Sequence, residues 1–205
     1  MKVLFQGDSV TDAERNREDP MDLGKGYPYY VAKELREIYP DIEFEFYNRG
    51  CSGHLTQTLV DRWQRDAVDM DPDVITILIG VNDSWSPTIG EADYVSDEQY
   101  EKNYRFLLTE MKEKTHAAII VLEQFAFDRE NTKPFRRDLD NKILVTRRVA
   151  REFADLYIPL DGILAAHSVQ EDEYLLCEDG VHPTPYGAEV ISAYVTDAIC
   201  AIIDG

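Results

Sequence analysis

The sequence predicts an α/β fold, a three-layer α/β/α sandwich around a five-stranded parallel sheet. Five apolar, strand-like runs recur along the chain, and helical patterns lie between them. Two of the runs, 74–80 and 117–125, are nearly unbroken β-branched and aliphatic stretches. Such runs belong to parallel strands covered on both faces, because half-exposed strands alternate apolar with polar residues. Strands alternating with helices argue for βαβ units, and right-handed crossovers then place helices on both faces of the sheet. The 205 residues suffice for a proper core, and no linker, repeat or low-complexity tract interrupts them, so a single domain over 1–205 is expected.

The elements follow in order. The first strand is "KVLFQ" (2–6), and the polar stretch 11–26 reads as a surface loop. A helix over 28–38 sets Tyr30, Val31, Leu35 and Ile38 on one face. "EFEFYN" (43–48) and "VITILIG" (74–80) are the second and third strands, and 84–97 reads as a loop. A helix over 97–115 carries Tyr100, Tyr104, Leu107, Leu108 and Met111 at helical spacing. "AAIIVLEQF" (117–125) is the fourth strand, and "RENTKPFRRD" (129–138) reads as a basic loop. A helix over 138–153, with Leu139, Ile143, Val149 and Phe153, leads to the fifth strand, "DLYIPLD" (155–161). The last helix, 185–203, carries Val190, Ile191, Tyr194, Val195, Ala198 and Ile202.

Charge narrows the partners. With 21 Lys and Arg against 40 Asp and Glu, the net charge is −19. Such a chain repels phosphate backbones and anionic lipid, so neither nucleic acid nor a membrane is an expected partner. No apolar run approaches the roughly 20 residues of a bilayer span. "MKVLFQGDS" is too short in its apolar part for a signal peptide, so the expected location is the cytoplasm. Cys51, Cys177 and Cys200 are odd in number, far apart and without C-x-x-C spacing, which points to buried thiols rather than disulfides or zinc. His54, His116 and His167 have no metal-ligand spacing, and no metal is expected.

In an open parallel sheet, ligands bind beyond the carboxyl ends of the strands. There the sequence places Gly7-Asp8-Ser9, "NRGCSGHLT" (48–56) and "GVND" (80–83), while "EDGVHPTPYG" (178–187) precedes the last helix. Acyl transfer needs a nucleophile, a base, an acid that orients the base, and donors for the oxyanion. Ser9 can be the nucleophile. Asp179 and His182, three residues apart, can pair on one turn so that the second imidazole nitrogen faces Ser9. The Ser9 amide, the Gly53 amide and the Asn82 side chain are candidate oxyanion donors. Each has a plainer reading: Ser9 or His182 as a helix cap, Asp179 and Gly53 as turn residues, Asn82-Asp83 as an Asx turn. The G-x-S-x-G elbow, Walker A, H-E-x-x-H and dinucleotide fingerprints are missing.

These stretches resemble a known family. "GDS" (7–9), the glycine of "SGH" (52–54), "GVND" (80–83) and "DGVHP" (179–183) look like the four sequence blocks of the SGNH, or GDSL-type, hydrolases, in the family's order and over nearly the whole chain. The resemblance implies a flavodoxin-like strand order 2-1-3-4-5. It also implies Ser9 as nucleophile, His182 as base, Asp179 as its partner, and Ser9 N–H, Gly53 N–H and Asn82 as the oxyanion hole, with no metal or organic cofactor. Val10-Thr11 after the serine departs from the longer "GDSL" form. "GKGYPYYV" (24–31), "YNRGCSG" (47–53), "RWQRDAVDMDPDVITILIGVNDSW" (62–85) and "FRRDLD" (135–140) further resemble the intracellular acetyl-xylooligosaccharide esterases of that family. The likeness implies a small acyl ester, an acetylated sugar, as substrate.

Trp85 is then a platform for a sugar ring, or else a residue packed over the site. Asp8 and Tyr27 are further candidate substrate contacts, although helix packing explains Tyr27 and Tyr30 equally well. Arg136 and Arg137 either reach the substrate or form surface salt links. A lysophospholipase or thioesterase, which needs an apolar acyl channel, and a non-catalytic binding module on the same scaffold are the competing readings. Homo-oligomerisation through aromatic-rich segments is a further expectation.

Overall fold

In the computed structural model, which describes residues 1–205, five strands pair in parallel in the order β2-β1-β3-β4-β5. They are β1 (Lys2–Gly7), β2 (Glu45–Asn48), β3 (Val74–Leu78), β4 (Ala118–Leu122) and β5 (Leu156–Ile158). The order is the one the family resemblance implies. Leu4 pairs with Tyr47 on one side and with Ile75 on the other, and Ile75 pairs in turn with Ile119. All five residues of β3 are buried, as an unbroken apolar run in a central strand requires.

Nine helices surround the sheet: α1 (Ser9–Asp12), α2 (Tyr27–Ile38), α3 (Thr56–Asp66), α4 (Val81–Thr88), α5 (Asp97–Lys114), α6 (Lys133–Phe153), α7 (Leu160–His167), α8 (Glu173–Leu176) and α9 (Pro185–Asp204). Successive side chains of a strand face opposite sides, and β1 accordingly feeds two cores. Val3 and Phe5 pack with Val31 and Leu35 of α2 and Ile191, Val195 and Ile199 of α9. Leu4 packs with Leu59 and Trp63 of α3, Tyr104 and Leu107 of α5 and Val149 of α6. The Trp63 indole N–H donates to the Leu107 carbonyl at 2.9 Å, which satisfies the one polar atom of a fully buried ring.

The differences from the sequence reading have local causes. Helix α3 was not anticipated, and α4 occupies the start of the stretch read as a loop over 84–97. Ser84, Ser86 and Pro87 make α4 look irregular, yet both serines are buried. The stretch 129–138 is a basic loop only in its first half, because α6 begins at Lys133. Two of its three arginines, Arg129 and Arg136, are engaged, and Arg137 has no partner. Arg129 pairs with Glu173, and both terminal nitrogens of Arg136 lie 2.6 Å from Asp161 carboxylate oxygens. Of the three thiols only Cys177 is buried, while Cys51 and Cys200 are half-buried. Contrary to the reading that no apolar run is long enough, α9 has the length and composition of a membrane span. Its Ile191, Val195 and Ile199 lie in the core beside the sheet.

Candidate active site

The nucleophile candidate sits where β1 runs into α1. A side chain at Gly7 would bring a Cβ within 2.3 Å of the Leu78 carbonyl, so only glycine lets β1 leave the sheet at this point. The Asp8 carboxylate then accepts the Val10 N–H at 3.1 Å and caps the single turn of α1, whose first residue is Ser9. As the first residue of a helix, Ser9 has an N–H with no intrahelical acceptor.

The second arm is the turn before α9. Asp179 Oδ1 accepts the backbone N–H groups of Val181 and His182 at 2.9 and 2.7 Å, and Oδ2 lies 2.6 Å from His182 Nδ1. Gly180 takes φ +89 inside this turn, a conformation that suits glycine. His182 Nε2 lies 2.8 Å from Ser9 Oγ. With Nδ1–H donated to the carboxylate, Nε2 is free to accept the serine proton. The Asp179 bond raises the His182 pKa above its ordinary value, against the opposing effect of burial. Burial pushes Asp179 up, but the His182 side chain and the two backbone donors outweigh it and hold the carboxyl well below the usual range.

The third arm lies after β2 and β3. Gly53 is exposed at φ +80, with nothing within 4 Å of where a Cβ would stand. Asn82, 5 % exposed on α4, donates one Nδ2 proton to the His54 carbonyl at 3.0 Å and keeps a second. Residue 54 adjoins Gly53, so this bond ties the two candidate donors together.

A cavity of about 530 Å³ opens beside Ser9 and His182, walled by Ala13, Tyr27, Pro183 and Ile191, with the Lys25–Glu14 ion pair (2.6 Å) among its lining. Trp85 does not line it. The indole stacks on Phe135 (ring centroids 5.8 Å apart) and tilts against the His182 ring at 5.9 Å, so it buttresses the imidazole. Tyr27 is among the lining residues, while its hydroxyl lies 3.2 Å from Thr11 and 3.4 Å from Thr76 inside the protein.

Asp8 is a correction to the sequence reading. It is 1 % exposed, turned inward onto Val10, and cannot touch a substrate. Burial pushes its carboxyl up to about 7. Of the cavity residues, Pro183 belongs to the "DGVHP" block and Ile191 to the apolar face of the last helix, while Ala13 carried no sequence signal beyond its closeness to Ser9. No group of three His, Cys, Asp or Glu side chains is arranged to hold a metal ion.

Comparison with known proteins adds to this geometry. The profile of the GDSL-like Lipase/Acylhydrolase family matches residues 5–190. The chain is 33% identical over 201 residues to an acetylxylan esterase from Geobacillus stearothermophilus, covering 93% of this chain and 90% of the other. The solved structure of Axe2, an acetylxylan esterase from that organism, superposes with a TM-score of 0.84 at 29% identity, over 95% of this chain and 91% of the other. LAE5, an alpha/beta hydrolase enzyme from the metagenome of Lake Arreo, Spain, superposes with a TM-score of 0.87 at 26% identity, over 96% and 94% of the two chains.

Proposed function

The chain belongs to the GDSL-like lipase/acylhydrolase family, and from that premise we propose that it is a serine carboxylesterase removing acetyl groups from small carbohydrates such as acetylated xylooligosaccharides. The observation that carries the reading is the continuous hydrogen-bonded line from Ser9 Oγ through the His182 ring to Asp179. In acylation His182 Nε2 takes the Ser9 proton as Oγ attacks the acetyl carbonyl carbon. Collapse of the tetrahedral intermediate breaks the bond to the sugar oxygen, which leaves with the proton from His182. Water then attacks the acetyl-serine, giving one proton to the same nitrogen, and the bond to Oγ breaks as His182 returns that proton to it, releasing acetic acid, which ionises in solvent. Asp179 holds the imidazole in the required tautomer and stabilises the imidazolium. The Ser9 and Gly53 amides and the free Asn82 N–H receive the charge that develops on the carbonyl oxygen.

The substrate class rests on the acetylxylan esterase relative, which the chain matches over nearly its whole length. The cavity has room for a sugar unit beside the nucleophile. One part of its wall, Val10, Ala188 and Ile191, would equally suit a longer acyl chain, so acyl length is the property to test. The reading places the enzyme in the cytoplasm and treats residues 1–205 as one domain. Self-association through exposed Tyr174, Tyr186 and Tyr194 belongs to the same proposal.

The test is a set of initial rates on p-nitrophenyl acetate, butyrate and octanoate beside acetylated xylobiose, with Ser9→Ala as the blank. The expected result is a steep fall with acyl length and release of acetate from the sugar. Rates rising toward octanoate, with the sugar untouched, would assign the protein to lipid or thioester substrates instead.

A further inference from the structure

We propose that Asp12 and Asp83 are positioning residues that hold the Gly53 N–H in place for the oxyanion, an inference that rests on the esterase reading above. The loop carrying Gly53 is bound in the same way at both ends. Ser52, just before the glycine, donates its N–H and its Oγ–H to Asp12 Oδ2, each at 2.9 Å. Thr56, three residues after the glycine, donates its N–H to Asp83 Oδ2 at 2.9 Å and its hydroxyl to Asp83 Oδ1 at 2.5 Å. Asn103 Nδ2 donates to Thr56 Oγ1 at 3.0 Å, which directs the threonine proton onto the carboxylate. Both carboxylates are buried, Asp12 at 3 % and Asp83 at 0 % exposure.

Between these anchors the glycine sits in a turn closed by the His54 N–H on the Cys51 carbonyl at 3.2 Å, with Asn82 holding the His54 carbonyl. Gly53 is exposed, its Cβ position is open, and its N–H has no acceptor within the protein. Packing therefore cannot set its orientation, and the polar bonds must.

The choice of anchors couples the three donors. Asp12 ends the helix that begins with Ser9, and Asp83 follows Asn82 on α4. Each carboxylate thus ties the Gly53 loop to the element presenting another oxyanion donor. Arg17 pairs with Asp12 and keeps that carboxylate in place. Burial, as the first cause, pushes the Asp83 carboxyl up to about 6 against the two Thr56 bonds. Misplacing one donor by a fraction of an ångström weakens the transition state more than the bound substrate, so the cost falls on kcat.

The test uses four variants. Asp12→Asn weakens one anchor, and Ser52→Ala removes only its hydroxyl bond. Thr56→Val removes the hydroxyl bond at the other anchor, and Thr56→Ser keeps both. We would measure kcat and KM on p-nitrophenyl acetate, the affinity of methylboronic acid, whose adduct with Ser9 occupies the oxyanion hole, and amide exchange at His54–Thr56, whose N–H groups are hydrogen-bonded. Asp12→Asn and Thr56→Val should lower kcat about ten- to a hundredfold with KM within about twofold, and lower boronate affinity in parallel. Exchange at His54–Thr56 should speed up, and Thr56→Ser should restore wild-type values.

Folded variants that retain kcat, boronate affinity and exchange rates would overturn the assignment. If Asp12→Asn fails to fold, Ser52→Ala decides for that anchor by the same readouts. If the wild type itself hydrolyses no ester, or Ser9→Ala is as active as wild type, the esterase reading fails. Exchange at His54–Thr56 in Thr56→Val then still decides whether the anchor exists.

Discussion

The Asp179–His182 turn and the Asn82–Asp83 start of α4 serve one proposed reaction under opposite conditions. The side chains of His182 and Asp179 are 42 and 44% exposed, and the bonds of the Asp179 carboxylate within their turn join residues no more than three apart, while Phe127 N–H and Asn131 Nδ2 tether only the backbone carbonyls of Gly180 and Asp179 from afar. Asn82 and Asp83 are 5 % and 0 % exposed, and their partners His54 and Thr56 lie 28 and 27 residues away. The proton-carrying side is a local device open to solvent, where a histidine can titrate. The charge-stabilising side is built by the tertiary fold, where rigid donors in a water-poor setting act most strongly. A substitution on the first side should therefore alter chemistry and spare stability, while one on the second should alter both.

The largest expected effects fall on the proton-carrying side. Ser9→Ala and His182→Ala should each lower kcat by about 10⁴-fold, with unfolding midpoints close to wild type. Rates from purified variants alongside thermal melts check this, and a large loss of stability in either would break the contrast. Asp179→Asn should cost less, about 10³-fold, because a misoriented imidazole still serves as a base. It should also move the acid limb of kcat/KM. His182 must be neutral to accept the serine proton, and Asp179 raises its pKa, so activity climbs as pH rises through a value above the ordinary 6.5. Without that carboxylate the limb should shift to lower pH. An unmoved limb would mean that Asp179 does not act on His182.

Asn82→Ala tests the other side. It should lower kcat by about 10²–10³-fold. It should also cost about 1 kcal/mol of stability, because the His54 carbonyl loses its donor. Denaturant midpoints measured with the kinetics separate the two effects.

The smallest effect sharpens the comparison from beneath. Asp8 is buried, with a carboxyl raised from 3.8 to about 7, so the fold prefers it neutral. The unfolded chain releases that proton near pH 4, hence wild-type stability should decline as pH rises from about 4 to 7. Asp8→Asn carries no such dependence. It should gain about 1–2 kcal/mol over wild type at pH 8 and little at pH 4. Urea midpoints at the two pH values measure the difference, and a gain equal at both would contradict the buried-carboxyl account.

The same contrast explains what the sequence could reveal. Asp179 and His182 stand out because the spacing that joins them is local, and Ser9 because a strand ends beside it. The central strands were legible from unbroken apolar runs, and the pairing order followed from the family resemblance. Helix α4 was not legible, since Ser84, Ser86 and Pro87 read as loop until burial against α6 is known. The Asp12–Ser52 bonds span 40 residues and leave no periodicity or motif behind. Asp8 was misread for a related reason: its place beside Ser9 in the chain says nothing about which way its side chain turns. Trp85 follows the Asn82 block closely, but only the fold shows it stacked on Phe135 and leaning on His182.

The most direct test of the account is to trap the acyl-enzyme. The protein would be mixed with p-nitrophenyl acetate, quenched in acid during turnover, digested and examined by mass spectrometry. The account predicts one acetyl group on the peptide containing Ser9, absent from Ser9→Ala, with fragment ions placing it on that serine. Full turnover with no acetyl on Ser9, or hydrolysis that survives in Ser9→Ala, would contradict it.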